Sequence, residues 1–309
     1  MTNYTYLPFD DYAQSANSLF HFMKKGDYLN DILRRKALVP RYCFETVEYL
    51  DIHNDNHRFN DVAILQKCFC DIPFHKLAAP FSVSIVNKND ASLRNVDISE
   101  IEKDNTHFTF YGEYAIGFSK VWAENNHLQP VHYLNDQSQY TKDFSTLLKK
   151  VMEVDDIPDE FAQDVLNRLA YIKPLRGVMD RRITCNTSHS ITVKICKNFH
   201  DECEWRYVPS PAVLSPLNIE SIIATSGSFD ITDMINTRLE DQQFEVLWLH
   251  FTYDDIRYIV VPNTQARIDL ITTILNLPDS CFEAIEAISM QKNILISKIL
   301  VLEEIRKDW

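Results

Sequence analysis

Residues 199–209, FHDECEWRYVP, indicate a short strand whose two faces differ in chemistry. Side chains alternate between the faces of a strand. One face therefore carries Glu204 and Arg206, whereas the other carries Trp205 and Tyr207, which we expect to face the core. A carboxylate beside a guanidinium on the opposite face is either a surface ion pair or part of a cleft. In a cleft, the carboxylate can hold a ligand hydroxyl or stabilise a developing cation.

The composition is that of a globular protein with room for a sizeable core. The 309 residues are 45% hydrophobic and 24% charged, and this length allows one large domain or two small ones. We predict a single domain over 1–309. The net charge of −13 argues against a general DNA-binding surface, because duplex binding requires phosphates to be neutralised. No run approaches the about 18 apolar residues of a membrane span, so we expect no membrane association.

Cysteine and glycine usage further restricts the compartment and the kinds of binding site that we expect. Seven cysteines is an odd number and the N-terminal residues carry no export signal, so we expect reduced thiols in a cytoplasmic protein. Cysteine and histidine cluster at 68–75 and at 196–203, but without the paired spacing that zinc prefers, so we expect no metal. The five glycines form neither a dinucleotide fingerprint nor a P-loop. The lack of these motifs does not exclude nucleotide binding in a cleft that strand edges and side chains form.

Hydrophobic periodicity predicts helices and strands that do not alternate strictly, which favours an α+β fold over a doubly wound sheet. Predicted strands lie at 19–23, 62–70, 108–119, 190–196, 204–208, 244–250 and 257–261. Predicted helices lie at 27–36, 120–126, 267–275 and 302–307. The segment at about 138–171 carries two helical patterns and is interpreted as a helical insertion. The apolar segment 293–301 is compatible with either a strand or a helix.

Several short stretches, in one order along nearly the whole chain, resemble the AbiGi family of abortive phage-infection proteins. They are Phe20–Phe22, Leu29–Leu33, Pro40–Cys43, Cys68–Pro73, Tyr111–Lys120, Tyr171–Pro174, Glu202–Pro209 and Asp255–Val261. Members of the family are described as the antitoxin half of a two-gene phage-defence system. The resemblance implies an anti-phage function and a protein partner, either a cognate toxin or a phage protein.

A looser resemblance is to the ADP-ribosyltransferase fold of the DNA-modifying, DarT-like toxins. The chain opens similarly with His21 on a strand and a Leu-x-x-Ile-Leu helix at 29–33, and Glu204 stands just ahead of a short apolar strand. The resemblance implies a split mixed sheet and an NAD cofactor. It implies that His21 holds the ribose or the nicotinamide amide, that Arg41 pairs with a phosphate, and that catalytic Glu204 stabilises an oxocarbenium-like transition state. The acceptor is then a nucleic acid or a protein.

Two more residues complete the candidate cofactor site, and each has a structural alternative. Tyr111 stacks on a nicotinamide or base, or the glycines on its predicted strand face merely ease sheet packing. Arg206 contributes to cofactor binding, or it only pairs with Glu204. His21 is either a ligand-binding or a core histidine. Two functions therefore stay open: an NAD-dependent ADP-ribosyltransferase, and a catalytically inactive antitoxin or sensor that binds a toxin or phage protein.

Overall fold

The computed structural model describes residues 15–54, 57–88, 93, 97–103, 105–153, 158–186, 189–224, 229–282 and 287–308. Its strands are β1 (Ser18–Met23), β2 (Ala37–Leu38), β3 (Arg41–Thr46), β4 (His53–Asn54), β5 (His57–Arg58), β6 (Asp61–Cys70), β7 (Ser84–Ile85), β8 (Tyr114–Ser119), β9 (Gln129–Pro130), β10 (His132–Leu134), β11 (Ile172–Pro174), β12 (Arg176–Asn186), β13 (His189–Asn198), β14 (Glu204–Tyr207), β15 (Ile222–Ala224), β16 (Leu249–His250), β17 (Ile256–Val261) and β18 (Ile299–Val301). Its helices are α1 (Gly26–Arg35), α2 (Ile98–Lys103), α3 (His107–Tyr111), α4 (Lys120–Asn125), α5 (Gln139–Glu153), α6 (Asp159–Asn167), α7 (Pro211–Leu214), α8 (Phe229–Arg238), α9 (Thr264–Leu275), α10 (Ile288–Ser297) and α11 (Leu302–Asp308).

A nine-stranded mixed sheet, the main sheet, organises the described part of the chain. Its order is β18-β17-β8-β1-β6-β14-β9, and β3 and β15 also pair with the long strand β6. β17 and β18 are parallel, whereas β1, β8 and β14 pair with their neighbours in antiparallel fashion. A smaller side sheet has the order β12-β13-β7. This arrangement of strands and helices confirms the predicted α+β class.

The main sheet opens between β1 and β6. These strands pair only at Phe20↔Cys70, and β14 continues on the far side of β6 from Glu204↔Cys70 onward. Directly opposed residues of antiparallel strands point to the same face. Phe20, Cys70 and Glu204 therefore share one face, and His21 starts from the other. The opening of the sheet leaves space beside β1 for a cavity.

Helices cover both faces of the main sheet. The predicted insertion at 138–171 contains α5 and α6, which pack Leu148 and Val165 against Val62 and Ile64 of β6. On the other face, α1 and α9 pack their buried leucines and isoleucines against β8 and β17. The apolar segment 293–301 divides into the end of α10 and the strand β18. The core is therefore layered around the sheet, and α1 lies beside its opening.

The predicted strand at 108–119 is wrong in its first half. Residues 107–111 form α3, and the strand is confined to β8. The helix begins because the Thr106 and Thr109 side chains cap each other's backbone N–H groups, which satisfies donors that a helix leaves unpaired. It ends at Gly112, whose φ of 132° is strained for residues with a side chain. Tyr111 therefore lies on a helix, and its predicted strand face does not exist.

One further predicted strand is wrong, and one long strand was missed. The predicted strand at 244–250 is mostly a 3₁₀ helix, Gln242–Leu247, followed by the two residues of β16. The long strand β12 was not predicted, because RGVMDRRITCN has no clear alternation of apolar and polar residues. It is held by pairing with β13 along its whole length. Such long-range pairing overrides weak local signals.

Candidate functional site

A cavity of about 390 Å³, the His21 cavity, lies where β1 and β6 separate. It contains three of the five predicted site residues: His21, Arg41 and Tyr111. Residues from β1, α1, β3 and β6 line it together with the end of α3. Its charged lining consists of Lys24, Lys25, Arg35, Arg41 and Lys67 against Asp31 and Glu240. In a protein of net charge −13, this excess of three cations marks a local positive site.

His21 is held in one tautomer at the wall of the cavity. Its Nδ1–H donates to the Cys68 carbonyl oxygen at 2.9 Å, so Nε2 carries the lone pair. Burial lowers the pKa of His21 to about 3, and the charge of Lys67 acts in the same direction. The imidazole is therefore neutral at physiological pH. It offers one acceptor, which can receive a hydroxyl or amide proton from a ligand.

Lys67 is the functional candidate that the sequence reasoning missed. It lies on β6 beside His21 and lines the cavity, and burial lowers its pKa to about 8. Among the residues that the structure describes, no carboxylate is close enough for a direct ion pair with it, although the charge of Glu240 in the same lining acts on it from further away. Its presence in the apolar run VAILQKCFC is the signal that could have identified it, because a lysine inside a central strand requires a partner or a ligand.

The two arginines of the cavity share one carboxylate. Arg41 donates to Glu240, and Arg35 Nη2 lies 3.3 Å from the second oxygen of the same side chain. Glu240 follows α8 and lies far from both arginines in the sequence. Arg41 therefore lines the cavity, but its charge is already compensated on one side. Lys67 makes no direct ion pair of this kind, and the charge of Glu240 acts on it only from a greater distance.

Tyr111 joins the cavity to the interior. Its hydroxyl donates to the Glu202 carboxylate and accepts from the Lys197 ammonium group. Burial raises the pKa of Tyr111, and the charge of Glu202 adds to the effect. The phenol is therefore neutral. Its hydroxyl is held by the two hydrogen bonds, and the centre of its ring lies 6.3 Å from the centre of the Phe22 ring. The ring forms a rigid wall of the cavity.

Glu204 and Arg206 lie in a buried ionic cluster, not in the cavity. The cluster consists of Glu45, Lys173, Lys197, Glu202, Glu204 and Arg206. Arg206 Nε lies 2.7 Å from Glu204 Oε1, and Lys173 Nζ lies 2.9 Å from Glu204 Oε2. Arg206 also reaches Glu45 at 2.7 Å and the Ala170 carbonyl at 2.9 Å. Three cations and three carboxylates balance within it.

The predicted convergence of His21 and Glu204 on one cleft is wrong. Their side chains leave the sheet on opposite faces, and Glu204 is only 4% exposed. Burial tends to raise the pKa of Glu204, but the charges of Arg206 and Lys173 outweigh it and hold the pKa well below its usual range. The surface-pair interpretation is also wrong, since Arg206 is fully buried while Trp205 is only partly so.

The remaining sequence features have structural explanations. A Cβ atom at Gly117 would lie 2.8 Å from the Phe20 ring, so this glycine permits the packing of β8 on β1. Within the described ranges, no three His, Cys, Asp or Glu side chains are grouped to hold a metal ion. None of the helices in those ranges has the length and hydrophobicity needed to cross a membrane.

Comparison with known proteins places this architecture in a family. A family model described as "Putative abortive phage resistance protein AbiGi, antitoxin" matches residues 87–262, a region that contains Tyr111 and most of the ionic cluster. The abortive phage resistance protein AbiGi of Lactococcus lactis subsp. cremoris is 32% identical over 285 residues, which cover 88% of this chain and 100% of that protein. No solved structure matches the chain significantly. The resemblance found in the sequence is confirmed: the chain belongs to the AbiGi family of abortive phage resistance proteins.

Proposed function

We propose that this chain acts in anti-phage abortive infection and binds a nucleotide, with NAD as the first candidate, in the His21 cavity. Lys67 carries the proposal. Its side chain is partly buried in the lining of the cavity, and the carboxylate that acts on it there, Glu240, is already bonded to Arg35 and Arg41. A partly buried cation without a counter-ion of its own is costly. A bound phosphate supplies the missing negative charge and forms charge-assisted hydrogen bonds.

The rest of the lining supports a ligand that is both anionic and aromatic. Lys24 and Lys25 add positive charge at the end of β1, while Tyr28 and Tyr111 offer rings on which a base can stack. Positive side chains interleaved with aromatic rings are typical of nucleotide and single-strand sites. His21 Nε2 can accept a proton from a ribose hydroxyl or a carboxamide N–H. The volume of about 390 Å³ lies within the range of small-molecule sites.

Calorimetric titration of NAD into the wild type and Lys67→Gln tests the proposal. We expect the variant to bind at least about tenfold more weakly, because it loses a charged hydrogen bond to phosphate. Raising the pH from 7 to 9 weakens wild-type binding, since the pKa of Lys67 is about 8, and affects the variant less. Lys149→Gln is the matched control, because that lysine pairs with Asp51 outside the cavity. Absence of wild-type binding at millimolar NAD, or equal affinity in Lys67→Gln, contradicts the proposal.

A second part of the proposal is that the chain is a catalytically inactive antitoxin that binds a protein partner. Glu204 is sealed and paired with two cations, so it cannot approach a sugar in the His21 cavity. The chain as a whole is acidic, with 44 Asp and Glu against 31 Lys and Arg and a net charge of −13. An acidic surface favours association with the basic face of a toxin.

Nicotinamide release separates the inactive antitoxin from a transferase. We expect no release when the purified protein is incubated with NAD and cell extract, and we expect the protein to co-purify with a cognate toxin. Nicotinamide release that disappears in a Glu204→Gln variant shown to be folded by circular dichroism supports the transferase instead. The opening between β1 and β6 supports an ADP-ribosyltransferase-like split sheet, and that likeness stays a prediction.

A further inference from the structure

A second cavity, of about 680 Å³, lies beside the His21 cavity. The two share Lys24 and Tyr111 in their linings. The second, which we name the Arg181 cavity, is lined further by Phe110, Arg181 and other residues of α3 and β12. The Tyr111 ring, whose hydroxyl is bonded to Glu202, borders both spaces. Neither sequence motifs nor the proposed function assigns a role to the Arg181 cavity.

The charge of the Arg181 cavity is positive once its neighbours are considered. Its carboxylates have cationic partners outside the lining, because Asp180 Oδ1 lies 3.1 Å from Lys194 Nζ and Glu113 Oε1 lies 3.9 Å from Arg306 Nη1. Within the described part of the chain, the Arg181 guanidinium donates to the neutral Asn105 amide oxygen and pairs with no carboxylate. The same guanidinium lies 4.4 Å from the centre of the Phe110 ring.

The Arg181 guanidinium and the Phe110 ring together form a surface on which a ligand ring can stack. Arginine held on an aromatic face keeps its planar donors directed at the neighbouring space. Bases stack on guanidinium planes and aromatic rings with little dependence on sequence. Each cavity thus combines an aromatic surface with cations: Tyr28 and Lys67 in one, Phe110 and Arg181 in the other.

The backbone of Lys24 is held at the junction of the two cavities by a close approach of Gly112. A Cβ atom on Gly112 would lie 2.1 Å from the Met23 carbonyl oxygen and 2.6 Å from the Lys24 nitrogen. The end of α3 therefore packs directly on the end of β1. The exposed Lys24 side chain lines both cavities, where a cation can serve a phosphate that links two ligand halves.

We infer that the two cavities are halves of one site and that its ligand is a dinucleotide, with one base in each cavity and the linking phosphates at Lys24. This inference rests on the proposed nucleotide binding in the His21 cavity. A mononucleotide fills only one half, whereas a dinucleotide uses both aromatic surfaces. A long nucleic-acid strand fits the molecule less well, because the net charge of −13 repels an extended polyanion.

Titration of NAD and AMP into the wild type and Arg181→Gln tests the inference. We expect NAD to bind at least about tenfold more tightly than AMP, and Arg181→Gln to remove most of that advantage while AMP affinity is unchanged. Unchanged AMP binding also shows that the variant is folded. Arg168→Gln is the matched control and retains the wild-type difference, because Arg168 is exposed after α6, bonds the Asp164 carbonyl and lines neither cavity.

The outcomes separate this inference from the proposed function. Equal affinities for AMP and NAD in the wild type overturn the two-half site and leave nucleotide binding standing. Wild-type NAD affinity in Arg181→Gln overturns it as well. Tight binding of a tetranucleotide, with NAD no better than AMP, points to a nucleic-acid strand instead. Failure of every nucleotide to bind overturns both the inference and the proposed function.

Discussion

Glu204 is held by two cations where water is almost excluded, so its charge is needed for the fold. Glu204→Gln leaves Lys173 and Arg206 with fewer counter-charges at 2.9 and 2.7 Å. We expect the free energy of unfolding to fall by about 3–5 kcal/mol, as when one partner of a buried ion pair is removed. Urea denaturation followed by circular dichroism measures the change.

The matched control for that variant is Glu153→Gln. Glu153 is exposed at the C-terminal end of α5, where loss of a negative charge does not harm the helix dipole, and we expect a change within about 0.5 kcal/mol. A loss below about 1 kcal/mol in Glu204→Gln would show that water reaches the carboxylate. It would reopen the possibility that this residue meets a ligand.

His21 makes the protein less stable as the pH falls. Its pKa is about 3 in the folded state, against 6.5 for an ordinary histidine. Below pH 6.5, the unfolded chain therefore binds a proton at this residue that the folded chain does not bind. Stability is therefore lost as the pH falls from about 6.5 toward 3. Between pH 7 and 4.5 we expect the wild type to lose about 2 kcal/mol more than His21→Gln.

Urea titrations of both proteins at each pH measure that difference. Groups other than His21 titrate in both proteins, so their contributions cancel when the two curves are subtracted. Parallel curves would mean that His21 accepts a proton in the folded state, and that its Nε2 lone pair does not face a dry wall. In that case the neutral acceptor assigned to the cavity would be wrong.

Three of the named residues, His21, Arg41 and Tyr111, line the cavity, but strand alternation did not identify them. His21 and Arg41 came from the looser family resemblance, and Tyr111 came from a strand face that the structure replaces with α3. Strand alternation, a local property, did place Glu204 and Arg206 on one face, and the structure confirms that they share it. Which face is sealed depends on what covers it, and β11 and the helical insertion supply that cover from distant parts of the chain.

The predicted helices and strands agree with the structure where the periodicity of hydrophobic residues is strong. β1, β6, α1, α4, β17 and α9 lie close to their predicted positions. α3 was mistaken for a strand because its aromatic run FTFY satisfies strand propensity, whereas the caps at Thr106 and Gly112 decide for a helix. β12 is stabilised by its pairing with β13, and the residue pattern of β12 alone does not reveal that pairing.

The end of α3 provides a prediction at this scale. Gly112 has φ 132° and ψ 150°, a conformation nearly confined to glycine. Its missing Cβ would lie 2.1 Å from the Met23 carbonyl oxygen. We expect Gly112→Ala to destabilise the protein by about 3 kcal/mol or more, from backbone strain and overpacking together. Thermal unfolding monitored by calorimetry measures the loss.

Gly26→Ala is the glycine control for this experiment. Gly26 begins α1, and the atoms nearest to an added Cβ are those of the Tyr114 ring at 3.3 Å. A side-chain ring can shift where a carbonyl cannot, so we expect a change within about 1 kcal/mol. Equal losses in the two variants would mean that α3 and β1 separate readily, which would also weaken the placement of Lys24.

Across the whole molecule, the ionic cluster connects units that lie far apart in sequence. Glu45 comes from β3, Lys173 from β11 and Arg206 from β14, while Lys197 comes from β13 of the side sheet. Each ion pair is shielded from solvent, so the link depends little on salt. A division of the described residues into two independently folding domains would cut this network, and the single domain over 1–309 stays a prediction.

That prediction can be tested by native-state hydrogen exchange in denaturant. We expect amides of β13 and β6 to exchange through the same global opening in the wild type, because the cluster ties the side sheet to the main sheet. Lys197→Gln leaves Glu202 with one ammonium partner fewer and should let β13 exchange first. Lys194→Gln, on the same strand but paired at the surface, should not. Early exchange of β13 in the wild type would show that the side sheet folds on its own, and the cluster would then be a contact between two domains.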